Sequence, residues 1–332
     1  MAGGRERILR RRIKSVQSTK KITKAMELIS ASRIVKAQQR VAAARPYAEQ
    51  ITAVIGNLAA GGAGLTSPLL QPRDEVRTVA YVVITSDRGL AGAYNGNVIR
   101  TAERAAIAAQ ATGKQTRFVV VGKKAETYFR FRHLPVEIAW HGMTDTPTYE
   151  DARTIAAFVT ERFESGEYDE VNIVYTQFLS IGTQRVVERR FMPLDPTTLE
   201  TAAGGGPAAD YEFEPNPNQI LERLLPRYAE ARLFAALLDA SASEHASRQR
   251  AMKSATDNAE ELITKLTRVM NRARQDSITT EIMEIIGGAE SLAQGENDPE
   301  ELIINHVNAL DPFAPAHPPH DRHPHHIAGA SS

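Results

Sequence analysis

The sequence contains no cysteine, which excludes a disulfide framework and any thiol chemistry. It carries no net formal charge, so its overall balance draws it neither to nucleic acid nor to an anionic membrane. No apolar run approaches the roughly 20 residues of a membrane span. The opening, MAGGRERILRRRIK, lacks the apolar core of a secretory signal and enters helical spacing at once. A cytoplasmic protein, soluble or peripheral, is expected. Neither a G-x-G-x-x-G nor a P-loop pattern occurs.

What is present is an apolar repeat at each end. Ile34, Ala37, Val41, Ala44, Ala48, Ile51, Ile55 and Leu58 recur at alternating steps of three and four. Met252, Ala255, Ala259, Leu262, Leu266, Val269 and Ala273 do the same. That spacing lays one apolar stripe along a helix, and the stripe needs a partner helix to bury it. The first stripe extends back through Val16, Ile13 and Leu9, with Lys20, Thr23, Glu27 and Ser30 as a polar stretch and Ile22, Met26 and Ile29 beside it. Pro46 and Pro226 are read as kinks or restarts, and Gly61, Gly62 and Gly64 as the end of the first arm.

Between the arms, apolar strand-like runs (Val79–Ile84, Arg117–Val121, Val136–Trp140, Val171–Thr176) alternate with helical spacing, and Arg185–Phe191 alternates as an edge strand would. The order predicts a Rossmann-like α/β domain with a mainly parallel sheet. The expected layout is a first coiled-coil helix over 1–62, the α/β domain over 75–200 and a Gly/Pro/Ala-rich linker over 201–217. A last helix follows over 218–292, and a disordered Pro- and His-rich extension over 293–332. The two helices pair antiparallel most simply. If Leu58 packs near Ile220, the final ~20 helical residues have no partner helix. They nonetheless carry Ile278, Ile282, Ile285, Ile286, Ala289 and Leu292. An exposed stripe of that kind marks a protein contact, unless the chain's own tail folds back on it. Residues 1–45 hold thirteen Lys and Arg against only Glu6 and Glu27, which suits either phosphates or an acidic protein surface. The first aromatic is Tyr47, so stacking rings are missing from that basic arm.

Chemical motifs are few. Asp87-Arg88-Gly89-Leu90-Ala91-Gly92 stands where a phosphate loop would, between strand and helix, but reads as a tight turn. Gly122-Lys123-Lys124 reads as a solvated helix start. His133 and His141 are isolated. His317, His320, His323, His325 and His326 offer weak metal ligation at most. No catalytic set, cofactor site or metal site is placed by spacing.

Four blocks resemble a known family. Ile13-Lys14-Ser15-Val16-Gln17-Ser18-Thr19-Lys20-Lys21-Ile22-Thr23-Lys24-Ala25-Met26-Glu27 with Arg45-Pro46-Tyr47 is similar to the opening of the gamma subunit of F-type ATP synthases. Thr85 to Asn95, Ala251 to Ala259 and Asn271 to Ile282 resemble later blocks of that family, in the same order. The resemblance implies a non-catalytic rotary central stalk of a proton-translocating enzyme. Its partners would be the alpha and beta subunits of the catalytic hexamer, the epsilon subunit and the membrane c-ring, with no nucleic acid. It also implies torque contacts at Lys20, Lys21, Lys24, Met26, Arg248, Arg274, Gln275, Thr279 and Glu281, and an apolar bearing at Ile278, Ile282, Ile285, Ile286 and Leu292. The cysteine-bearing insert of chloroplast members is absent, which points to a bacterial type, peripheral on the cytoplasmic face of the plasma membrane. Two readings of other classes stand beside it: a nucleotide-dependent enzyme using the α/β domain, and a nucleic-acid-binding adaptor.

Overall fold

Strand propensity and strand burial coincide in the middle of the chain. The runs Thr78–Ile84 (β1), Gln115–Val121 (β2), Val136–Trp140 (β3) and Glu170–Phe178 (β4) are rich in Val, Ile and aromatics, and pair in parallel. Gln184–Met192 (β5) pairs antiparallel with β4 at the sheet edge. The sheet order is β3-β2-β1-β4-β5. β1 is buried over six of its seven residues, as expected of a parallel strand covered on both faces. β5 has a mixed burial pattern with exposed Arg185, Glu188, Arg189 and Arg190, as its alternating sequence requires.

The computed structural model describes residues 2–60, 67–194 and 216–295. The helices are α1 (Ala2–Ala60), α2 (Tyr94–Ala111), α3 (Lys123–Phe131), α4 (Tyr149–Glu164) and α5 (Pro217–Gly295). The linker expected at 201–217 and the extension expected at 293–332 fall outside the described residues, apart from their helical edges. The chain divides into two units, residues 13–264 and residues 1–12 with 265–332.

In the larger unit, period-two alternation sends neighbouring strand residues to opposite faces. Val79, Tyr81, Val83, Phe118, Val120 and Val174 pack with α2 and α3. Ala80, Val82, Ile84, Val119, Val121, Val171 and Ile173 pack with α4, with Ile51, Ile55 and Leu58 of α1, and with Leu221 to Ala240 of α5. The long helices are therefore not appended to the α/β core; their near ends form part of it. α4 starts at a capping box in which Thr148 accepts from the Asp151 N–H while the Asp151 carboxylate accepts from the Thr148 N–H. Further along, Thr23 hydrogen-bonds Thr256 at 2.8 Å and Lys20 pairs with Glu260 at 3.1 Å. Both contacts lie within two residues of the register that pairing Leu58 with Ile220 implies.

Two expectations are corrected. Of the two readings of the prolines, kink or restart, the restart is excluded: α1 is continuous through Pro46, and α5 begins at Pro217, well before Pro226. One lost N–H interrupts a single bond of a long ladder, and buried Ile34, Ala37, Ile51 and Ile55 on either side of Pro46 hold α1 in place. The stripe of the last helix is also altered at two positions. Met252 and Ala259 are buried and Ala255, Leu266 and Ala273 half-buried as read, but Leu262 and Val269 are exposed at 38% and 44%, and Ile263 and Met270 are half-buried in their place. The sequence offers apolar residues at adjacent positions (262 and 263, 269 and 270), so spacing alone does not choose between them.

In the smaller unit, every residue from Ile278 to Leu292 is exposed, with Ile285 at 67% and Leu292 at 75%. The partnerless helix end read from the sequence is therefore present among the described residues.

Gly122, between β2 and α3, has φ +97°, and a Cβ there would lie 2.3 Å from the Thr85 carbonyl oxygen. Gly113 has φ +83° but open space around it. Gly122→Ala is expected to cost about 3 kcal/mol and Gly113→Ala about 1 kcal/mol, measured by urea unfolding of the isolated chain. Equal losses would show that the Thr85 contact is not the constraint.

Candidate functional site

In an open α/β sheet, ligands bind outside the carboxyl ends of the strands where the strand order reverses. Here the reversal lies between β1 and β4. That crevice is filled by α5. Tyr94 donates its hydroxyl to the Ala240 carbonyl at 3.1 Å, and Ser243 donates to the Thr176 carbonyl at 3.0 Å. Ser243, Glu244 and His245 are all buried. Arg248 spans from the Glu244 carboxylate (2.6 Å) to the Gly89 carbonyl (3.3 Å), which fixes the loop after β1.

The phosphate position is occupied in the same way. Asp87 directs its carboxylate at the start of α3, accepting from the Lys123 N–H at 3.1 Å, the Gly142 N–H at 2.8 Å and the Thr144 hydroxyl at 3.0 Å. The next two N–H groups of α3 are also taken: Lys124 donates to the Ser86 carbonyl and Ala125 to the Thr85 hydroxyl. A helix N-terminus binds anions because its first N–H groups lack partners; here the chain supplies both the anion and the acceptors. The loop read as a tight turn is one, and Leu90 within it adopts φ +64°.

Burial sets the charge states in this region. It raises the Glu244 carboxyl to about 7, outweighing the attraction of Arg248, and raises Asp239 to about 6. It lowers His245, with Asp145 opposing and with Arg248 and Arg33 pushing in the same direction as burial. Burial likewise raises the Tyr94 phenol well above its ordinary value.

The torque-contact residues proposed from the sequence have different surroundings. Lys21, Lys24, Arg274, Gln275, Thr279 and Glu281 are exposed; Lys20 and Met26 are half-buried. Lys24 pairs with Glu27 on its own helix, and Thr279 donates to the Gln275 carbonyl. Exposed Ile22 and Ile29 lie one turn from Met26 on the same side of α1, whereas exposed Leu28 and Val35, not singled out from the sequence, lie on the opposite side. Arg248 is the exception. It is 6% exposed and its guanidinium is engaged within the chain, so its assignment as a partner contact is withdrawn. Asp145 and Glu244 were not singled out from the sequence, and Ser241, His245 and Arg248 read there only as an interruption of the apolar stripe. Glu244 and His245 are neighbours in sequence; folding brings Asp145, 100 positions away, to His245. An apolar cleft of about 900 Å³ lies between α1 and α5, where Ala44, Ala48, Ala231 and Ala235 leave the helix contact thin. Among the described residues no cluster of metal-ligating side chains occurs.

A family model described as ATP synthase matches residues 5–292. The chain is 52% identical over 297 residues to the ATP synthase gamma chain of Parafrankia sp. (strain EAN1pec), covering 88% of this chain and 99% of that one. The chain belongs to the ATP synthase gamma-chain family. It is also 51% identical to the gamma chain of Frankia casuarinae, with the same coverage, and 48% identical to that of Kineococcus radiotolerans, covering 87% and 97%. The fold resembles a chain of the Euglena gracilis mitochondrial ATP synthase (TM-score 0.62, 18% identity, 89% and 97% covered). It also resembles one from the Tetrahymena thermophila mitochondrial ATP synthase central stalk and c-ring structure (TM-score 0.52, 23% identity, 70% and 99% covered). The family match ends at residue 292, next to the start of the expected extension. The filled crevice and the occupied start of α3 are thus features of a gamma-chain family member.

The raised carboxyls set a pH dependence. Between pH 4.5 and about 7 the native state keeps the Glu244 proton that the unfolded chain has released. Stability from this group is complete below pH 4.5 and is lost as pH rises toward about 7. Asp239 acts in the same direction. His245, whose folded value is lowered, acts in the opposite one and adds stability as pH rises toward its ordinary value of 6.5. Urea unfolding of the isolated chain between about pH 5 and 8 should show a fall that Glu244→Gln reduces by about 2 kcal/mol. An unchanged slope would assign the titration to other groups.

Proposed function

We propose that this chain is the rotary central stalk of a proton-translocating ATP synthase, turning inside a hexamer of alpha and beta subunits and carrying no active site of its own. α1 and α5 would pair as an antiparallel coiled coil inside that hexamer. The α/β domain would sit at its foot with the epsilon subunit on the membrane c-ring. The domain limits follow the sequence: coiled-coil helices over 1–62 and 218–292, the α/β domain over 75–200, a linker over 201–217 and an extension over 293–332. Nucleotide chemistry takes place on the neighbouring subunits.

The observation that carries this reading is the bare end of α5. A helix that exposes Ile278, Ile282, Ile285, Ile286 and Leu292 together is costly in water, at about 25 cal/mol per Å² of apolar surface, and calls for a surrounding apolar sleeve. Apolar contact is non-directional, so a sleeve holds the helix end at every angle, as a bearing must. The exposed Arg274, Gln275, Thr279 and Glu281 around its start, and Lys20, Lys21 and Lys24 on α1, supply directional contacts that resist slip, with Met26 as an apolar contact beside them. The filled crevice supports the same reading, because it leaves the α/β domain as a mount for the helices. Among the described residues no helix is long and apolar enough to cross a membrane, which suits a peripheral subunit; its place is the cytoplasmic face of a bacterial plasma membrane.

Reconstituted into proton-tight vesicles with its partner subunits, the Arg274→Glu or Gln275→Ala complex is expected to lose gradient-driven ATP synthesis several-fold at normal assembly. Normal synthesis in both would remove the torque role of this collar. The isolated chain is expected to show no ATP turnover, and turnover would restore the enzyme reading.

A further inference from the structure

The face that α5 presents to the α/β core carries small side chains among large ones: Ala229, Ala236 and Ala240 are buried with Leu225, Leu233 and Leu237. Apolar contact is non-directional and by itself fixes no angle of a helix about its own axis. Angle is fixed by directional bonds; besides those of Tyr94, Ser243 and Arg248 described above, a set that reaches both long helices converges on one residue of the loop between β3 and α4. The Asp145 carboxylate is ion-paired with Arg33 of α1. Its backbone carbonyl accepts from Ser241 of α5 at 3.0 Å and lies 3.2 Å from Nε2 of His245 of α5. The same ring nitrogen is 3.5 Å from Oδ1 of Asp145. The neighbouring Thr144 is locked to Asp87, which holds the start of α3. One residue therefore grips both long helices and is itself braced against the sheet.

We propose that Asp145 is the positioning residue that locks both shaft helices to the α/β domain, so that torque entering through the domain turns the helices instead of slipping past them. This rests on the central-stalk reading above. The joint is loaded only when the membrane ring drives the domain; hydrolysis by the detached soluble complex turns the helices from the other end and leaves it nearly unloaded. His245 is buried at 2% exposure and its pKa is lowered, so the neutral ring acts at the Asp145 carbonyl while Arg33 supplies the charge.

The test compares Asp145→Ala, Asp145→Asn and the charge swap Arg33→Asp with Asp145→Arg in the full complex. Three quantities are read: retention of this chain, ATP hydrolysis by the detached complex, and gradient-driven synthesis. Asp145→Ala is expected to retain the chain and keep hydrolysis within about two-fold while synthesis falls about five-fold, with Asp145→Asn intermediate and the swap restoring at least about half, as a charge-assisted bond predicts. Parallel loss of hydrolysis and synthesis, no loss of synthesis, or loss that the swap leaves untouched would each overturn the proposal. If Asp145→Ala does not fold, Asp145→Asn and Arg33→Gln carry the same comparison. Failure of the stalk reading itself looks different: the unaltered chain would not be needed for coupling at all.

Discussion

The packing of α5 across the carboxyl ends of β1 and β4 is the constraint from which the rest of the molecule follows. A sheet with this strand order opens a crevice at its reversal point, and in many proteins a cofactor fills it. Here the chain fills it with Ala240 to Arg248 of its own last helix. The domain thereby loses a place to bind a ligand and gains a fixed attachment for a helix of 79 residues. Asp87 extends the same logic, standing at the start of α3 where a phosphate would otherwise find free N–H groups.

That attachment is polar as well as apolar, and the balance is informative. Burying Glu244 beside Arg248 desolvates both, and such pairs seldom add net stability over well-packed apolar residues. The buried Oε2 of Glu244, Nδ1 of His245, Oδ1 of Asp145 and Oγ1 of Thr176 have no hydrogen-bond partner among the described residues. A segment under selection for stability alone would replace these groups with apolar ones. Their presence fits a joint that must fix orientation, since hydrogen bonds and ion pairs are directional and hydrophobic contact is not. At the opposite end of α5 the chemistry is reversed: the residues from Ile278 to Leu292 carry isoleucines in the open, with nothing in the described chain to fix their angle.

Much of the fold was legible in the sequence. Val79–Ile84 and Val171–Thr176 announced strands through runs rich in Val, Ile and Tyr. Arg185–Phe191 announced an edge by alternation. These signals are local, set by side-chain shape and by a period of two or 3.6. The bare end of α5 was legible too, because it follows from comparing two helix lengths. The face of α5 was legible only in part: Met252 and Ala259 are buried as read, but Leu262 and Ile263, or Val269 and Met270, are equally apolar neighbours, and only the tertiary packing selects Ile263 and Met270. Arg248 was misread for a related reason. The family resemblance implied a partner contact there, but Gly89, 159 positions away, is brought beneath it by the sheet.

The sequence by itself determined the elements, their order, the mainly parallel sheet and the excess apolar length of the last helix, because each depends on spacing between near neighbours along one chain. Only the tertiary structure decided that the crevice is closed, that Asp87 takes the place of an anion and that Asp145 meets Arg33 and His245. Those contacts join residues more than 30 positions apart, and no periodicity links them. They exist because the sheet brings its loops to one edge and α5 passes over it.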